Sequence, residues 1–338
     1  MKLPHPRGPL GDAVVDALCS PLGGSAGLHL DDAARDALAS AVDVVTDDDL
    51  QLSLYVMYEL AYRGFDDVEP DWEWDPDLLR ARAVVERAFE LELRRRVEVP
   101  LDVVPDRASV AAALFAMTAP TPGPSVARFV ARRATRRQLD ELLVLRSIYQ
   151  LKEADPHTWA IPRLTGRPKA ALVEIQADEY GGGAADRMHC ELFAQTMRGA
   201  GLDAEYGTYV DEIPAVTLAG TNLMSLFGLH RRLRGATAGH LAAFEMTSSL
   251  PNRLYGDGFR RHGFDASTTL YFDEHVEADA VHEQIAGRDL AGELAQQEPD
   301  LCDDILFGAA ACLYLDDLAG EHALTAWTAD ESALRVGP

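Results

Sequence analysis

Residues 271–282 read Tyr-Phe-Asp-Glu-His-Val-Glu-Ala-Asp-Ala-Val-His, which sets His275, Asp279 and His282 at positions i, i+4 and i+7. At about 100° per residue these side chains fall within roughly 60° of one another on an α-helix, along the line that also carries Tyr271 and Phe272. One helix face therefore looks like half of a metal site. Its apolar neighbours turn it inward, where isolated charges are too costly to keep unless they are paired or coordinated to a metal. The other half should come from other helices.

Outward from this stretch, helical periodicity dominates, and no alternating segment longer than 97–104 reads as a strand. The fold class is all-α. The first third predicts helices over 31–42, 48–64 and 77–96, the last opened by an Asp-Pro-Asp start signal. A polar Pro/Asp stretch at 99–107 separates this N-terminal helical region, 1–105, from the main domain, 106–338. A second boundary candidate is 118–125, where Pro120, Pro122 and Pro124 forbid a continuous helix. Beyond it, helices are expected near 126–154, 167–180, 184–200, 213–233, 237–250, 266–285 and 296–318. No internal repeat or low-complexity tract is visible.

The bulk properties narrow the function. A chain of 338 residues that is 47% hydrophobic can build a substantial core. Its formal net charge of -24 argues against nucleic acid or an anionic membrane surface as partner. No apolar run approaches the roughly 20 residues a membrane span needs. The first ten residues lack the apolar core of a signal peptide, so a soluble cytoplasmic protein is expected. Cys19, Cys190, Cys302 and Cys312 form neither a CxxC pair nor a zinc pattern, and reduced buried thiols are the expectation.

Further ligand candidates sit on other helices. Glu245 shares a helix face with Ala238, Leu241 and Ser249, and Glu153 ends the apolar line of Leu142, Leu145 and Tyr149. Between them lies Asp178-Glu179-Tyr180-Gly181-Gly182-Gly183, followed by Asp186 and His189. An unbroken helix would separate Glu179 from His189 by about 15 Å, too far for one cluster. The glycine triplet disfavours that helix by about 1 kcal/mol per residue relative to Ala, and so favours an interruption. Asp186 and His189 instead form an acid-x-x-His pair that needs no break. Glu179 is favoured, with Asp186 in reserve. The set is thus Glu153, Glu179, His189, Glu245, His275, Asp279 and His282. Carboxylates mixed with imidazoles, without thiolate, suit iron or manganese, and their number suits two metals. A single helical Glu or His is more often a solvated or core residue; the case rests on all of them facing inward. His157 and His240 lack such company and are read as non-ligands. Asp178 is read as a solvated carboxylate or an outer partner of a ligand.

These residues resemble the haem-oxygenase-like di-iron oxidases and oxygenases, the iron-containing redox enzymes. The resemblance rests on Glu-Ala-Asp-Pro-His-Thr-Trp-Ala-Ile-Pro-Arg-Leu at 153–164, Val-Glu-Ile-Gln-Ala-Asp-Glu-Tyr-Gly-Gly-Gly at 173–183 with His189, Glu245, and the His-x3-Asp-x2-His helix, and it covers about 125–320. It implies a haem-oxygenase-like bundle of about seven helices with an N-terminal helical extension. It also implies two iron ions between the core helices, O2 as co-substrate activated by the ferrous pair, and an external electron donor, either a reductase or a small reductant. Family activities include N-oxygenation of amines and oxidative carbon–carbon cleavage or decarboxylation of fatty or amino acids. The spacing of Glu179 to His189 and the third imidazole look most like an N-oxygenase of the family. That enzyme also carries a C-terminal cupin domain, which nothing after residue 320 here is expected to supply. The expected partners are a small-molecule substrate, the reductant and a second copy in a homodimer. A non-enzymatic iron-binding protein is the reading from outside catalysis. Tyr180, directly after a candidate ligand, is the aromatic expected to take part in the oxidation. Met188, Phe193, Phe244, Met246, Tyr271 and Phe272 are the candidate pocket lining.

Overall fold

The computed structural model describes residues 1–23, 27 and 29–335, and for 277–280 the backbone alone. Among the described residues every regular element is helical. The N-terminal third holds α1 (Pro9–Leu18), α2 (Leu30–Ser40), α3 (Asp48–Glu59) and α4 (Pro76–Arg96). Then come α5 (Arg107–Met117), α6 (Val126–Arg132), α7 (Arg136–Gln150), the single turn α8 (Asp155–Thr158), α9 (Gly166–Glu179) and α10 (His189–Gly199). The last part holds α11 (Ala215–Leu229), α12 (Arg234–Met246), α13 (Ser249–Arg261), α14 (Ala266–Gln284), α15 (Glu293–Gln297) and α16 (Cys302–Thr328). No helix among the described residues is long and apolar enough to cross a membrane.

Local chemistry explains several boundaries. The Asp-Pro-Asp signal starts α4: the Asp75 carboxylate accepts from the backbone N–H of Asp77 and Leu78, and Pro76 occupies the first turn where no N–H is needed. The helix expected over 126–154 breaks into α6 and α7, because Thr135 and Gln138 form a reciprocal capping box that starts a new helix. Beyond His282, α14 does not stop near 285 but runs into a π-helical segment, Ile285–Gly292. Helices α5 and α13 fall where sequence periodicity gave no helix.

Three apolar clusters hold the helices together. One runs from Leu10, Leu54 and Phe89 in the N-terminal third to Ile148, Leu226 and Phe307, so that third shares a core with the later helices. A second joins Ile175, Leu241, Leu290 and Ile305, and a third joins Leu142, Phe193, Tyr271, Phe272 and Trp327. Helices α12 and α16 approach closely because Gly239 and Gly308 face each other's backbones. A Cβ on Gly239 would strike the Ile305 carbonyl, and one on Gly308 the Ala236 carbonyl. The cysteines are free thiols, buried at Cys190, Cys302 and Cys312 but exposed at Cys19, contrary to the burial expected there. A short helix end, not a core face, carries Cys19.

Candidate metal centre

Helix α14 sets two imidazoles one above the other. The Nδ1–H of His275 donates to the Tyr271 carbonyl one turn back at 2.8 Å, which turns Nε2 toward Glu153 Oε1, 3.5 Å away. The Nε2–H of His282 donates to Asp178 Oδ2 at 3.0 Å, which turns Nδ1 toward Glu245 Oε2 at 3.4 Å. In each ring a hydrogen bond from one nitrogen orients the imidazole and turns the other nitrogen toward a carboxylate. The side chain of Asp279, between them on the helix, lies outside the described residues.

Facing α14, the chain folds back on itself at the glycines. Helix α9 ends at Glu179, and Gly181, Gly182 and Gly183 take φ of 65°, 61° and 85°, the left-handed region that other residues enter only at a cost. At Gly181 there is no room for a side chain either, since a Cβ would lie 2.6 Å from the Arg187 backbone carbon. His189 then opens α10 with Nδ1 3.0 Å from Glu179 Oε2. Asp186 is exposed in the intervening turn and stays outside the cluster.

Glu153 and Glu245 arrive differently from the sequence reading. Helix α7 stops at Gln150, so Glu153 stands in a turn just before Ala154, itself left-handed at φ 75°. The Tyr271 hydroxyl donates to Glu153 Oε1 at 3.0 Å. Glu245 is the last residue but one of α12, whereas Ser249, expected on its face, already belongs to α13.

These side chains converge. Glu153, Glu179, His189 and His275 offer donor atoms that all lie within 4.8 Å of one another, and so do Glu179, Glu245 and His282. Glu179 belongs to both groups. Whether the residues fit a cation is tested by their unsatisfied atoms: Glu153 Oε2, His189 Nδ1 and His282 Nδ1 are buried without a hydrogen-bond partner among the described residues. The 3.0 Å approach of His189 to Glu179 is off the line a hydrogen bond needs. Buried polar atoms left without hydrogen bonds are costly in an apolar setting, and donor atoms this close together suit a shared cation. Charge tells the same story. Burial pushes the Glu179 carboxyl up, yet the facing His189, His275 and His282 outweigh it and hold its pKa down at about 2. Burial works against charge on His282 too, but Glu245, Asp178 and Glu179 raise its pKa to about 9, and Glu179 raises that of His189. A divalent cation here would take the place of those protons, which couples metal uptake to proton release.

A narrow cavity adjoins the cluster, walled by Tyr149, His157, Gln176, Leu241, Phe244 and Ser248 beside Glu153, Glu179, Glu245 and His275. Of the expected lining, Phe244 faces it, while Phe193 and Phe272 lie in the apolar core. Tyr180 turns elsewhere: its hydroxyl donates to Asp155 Oδ1 at 2.8 Å and meets Thr158 Oγ1 at 2.9 Å. The Tyr271 hydroxyl, by contrast, touches the cluster through Glu153. His157 and His240 form a buried pair, Nε2 to Nδ1 at 3.1 Å, and burial lowers the pKa of His157 to about 4, so the pair is neutral. Sequence reasoning also passed over Gln176. Its position three residues before Glu179, on the same helix face, was the available signal. Its Nε2 donates to the Ala154 carbonyl at 2.9 Å, which fixes the amide orientation and leaves Oε1 a buried acceptor with no partner among the described residues.

Known proteins match this chain in the same region. A family model described as iron-containing redox enzyme matches residues 140–317, which include every residue of the two donor groups. Nitrosourea synthase from Streptomyces achromogenes subsp. streptozoticus is 27% identical over 152 residues, 44% of this chain and 32% of its own length. The matched stretch thus spans about a third of that relative.

Proposed function

The chain belongs to the iron-containing redox enzyme family, and from that premise we propose that it is a non-haem di-iron oxygenase acting on nitrogen in a small amine-bearing metabolite. One observation carries the reading: Glu179 is common to both donor groups. Glu179 would then be a ligand shared by two cations, of which Glu153, His189 and His275 would hold one and Glu245 and His282 the other. Asp279 is proposed as a further ligand from the same helix. Carboxylates with neutral imidazoles suit iron, and bound ferrous ions would supply the reducing chemistry that activates O2.

The protein's own part is positional. Tyr271 fixes the rotamer of Glu153, the Tyr271 carbonyl and Asp178 fix the tautomers of His275 and His282, and Tyr149, Leu241 and Phe244 keep bulk water from the cavity. Gln176 Oε1, an acceptor on the cavity wall, suits a substrate N–H. The likeness to a synthase of nitrosoureas, whose nitrogens carry oxygen, supports nitrogen as the atom oxidised. The balance is R–NH2 + O2 + 2 e⁻ + 2 H⁺ → R–NHOH + H2O, with the electrons from an external reductase or small reductant.

Anaerobic ferrous titration followed by O2 exposure with a panel of amines tests the reading. Two irons per chain, amine-accelerated O2 consumption and a hydroxylamine product are expected. A single zinc, or iron bound away from Glu179, would overturn the di-iron centre. Release of CO2 or an alkene without an N–O product would replace N-oxygenation by oxidative carbon–carbon cleavage.

A further inference from the structure

Lys152, the residue before Glu153, points the opposite way. Its ammonium lies 2.8 Å from Glu59 Oε2 at the end of α3, and the two side chains are 1% and 0% exposed. The same Glu59 oxygen accepts from the Tyr206 hydroxyl at 2.7 Å, and Glu59 Oε1 accepts from the Arg63 backbone N–H at 3.3 Å. The Lys152 ammonium also sits 4.1 Å from the centre of the Tyr62 ring. One step earlier, the Arg63 guanidinium donates to the Leu151 carbonyl at 3.0 Å. On the far side, Gln176 holds the Ala154 carbonyl. The turn 151–154 is therefore fastened on both flanks of Glu153, and the residues fastening the side away from the cluster, Glu59 and Arg63, come from the N-terminal third.

Stability alone does not account for this arrangement. A buried ion pair is often no better than apolar residues of the same size, because desolvation offsets the attraction, but it fixes direction and register in a way apolar contacts do not. Direction is what Glu153 needs. It sits outside any helix, beside a left-handed Ala154, so helix periodicity does not aim its carboxylate.

We propose that Glu59 and Lys152, assisted by Arg63, are positioning residues that aim Glu153 at its donor group. The N-terminal third thereby takes part in building the centre. The proposal rests on the reading of Glu153 as a metal ligand.

Cobalt(II) titration of the full-length apoprotein, followed by its visible d–d bands, tests this without turnover. Wild type is expected to fill in two steps, and Glu153→Ala to lose one. Glu59→Gln/Lys152→Met removes both charges together. It should leave the step assigned to Glu245 and His282 unchanged and weaken the Glu153 step about tenfold, the lower end of what losing a ligand's outer support does to metal affinity. Arg63→Ala should weaken the same step by less. If the double variant does not fold, Arg63→Ala, on an exposed side chain, decides. Two unchanged steps in the folded double variant, or in Arg63→Ala when it stands alone, would overturn the positioning role while leaving the ligand reading intact. Two unchanged steps in Glu153→Ala would instead remove the ligand reading, and this inference with it.

Discussion

Glu153 and His189 in one donor group and Glu245 and His282 in the other are built by different means. Glu245 and His282 project from regular helix, α12 and α14, and their outer support is Asp178, whose side chain is 62% exposed. Glu153 and His189 stand where helices have been broken, the first in a turn and the second just after the glycine reversal, and their supports are buried: Tyr271, the Lys152–Glu59 pair and the close approach at Gly181. A helical ligand is aimed by periodicity, so its position survives changes in distant packing. A ligand in a turn is aimed by tertiary contacts, and its position depends on them.

Glu179 joins the halves, so removing it should have the largest effect. Glu179→Ala is expected to lose nearly all iron, read as iron per chain after gel filtration. Iron retained at the wild-type level would dissolve the link between the groups. Single variants then separate them. Glu153→Ala and Glu245→Ala should each keep about half of the iron, and a variant of either kind that loses all of it would show one cooperative site instead of two distinguishable halves.

Asp178→Asn keeps the shape but weakens the grip on His282. An outer partner of a ligating histidine is commonly worth 10–100-fold in metal affinity, and the exposure of Asp178 puts the expectation near tenfold, confined to the Glu245 side. Equal weakening of both steps would break the comparison. pH offers a gentler probe of the metal-free protein. His282, raised from 6.5 to about 9, contributes stability that is fully present below 6.5 and is lost as pH climbs through 9. The melting temperature of apoprotein should therefore fall between pH 6.5 and 9, and iron-loaded protein should not follow it. Parallel curves would mean that the imidazole charge contributes nothing to folding.

Smallest in metal binding, and sharpest in meaning, is the contrast at the reversal. Gly181→Ala forces a left-handed Ala against the Arg187 backbone, destabilising the fold by about 1–2 kcal/mol from the conformation alone and loosening the Glu179–His189 approach. Asp186→Ala, three residues before His189 but exposed, should bind iron as wild type does. Iron loss in Asp186→Ala would return the acid-x-x-His pair to the centre.

Much of this was legible in the chain. The all-α class followed from periodicity, the inward line of His275 and His282 from their spacing, and the interruption after Glu179 from three glycines that a helix tolerates poorly. Helices α5 and α13 were missed: Ala-rich 107–117 has little amphipathic contrast, and 249–261 follows so closely on α12 that the two read as one face. Adjacency to Glu179 in sequence did not reveal where Tyr180 points: its hydroxyl meets Asp155 and Thr158.

What the sequence determined by itself is everything set within one helical turn: which residues share a face, where a cap begins α4, where left-handed backbone is required. Tertiary structure decided the rest. That Glu153 reaches the cluster from a turn, that Asp178 holds His282 across 104 positions, and that Glu59 holds Lys152 across 93 depend on how separate helices pack. Local periodicity carries no information about contacts between residues so far apart, because their meeting is fixed by the shared core and not by the chain between them.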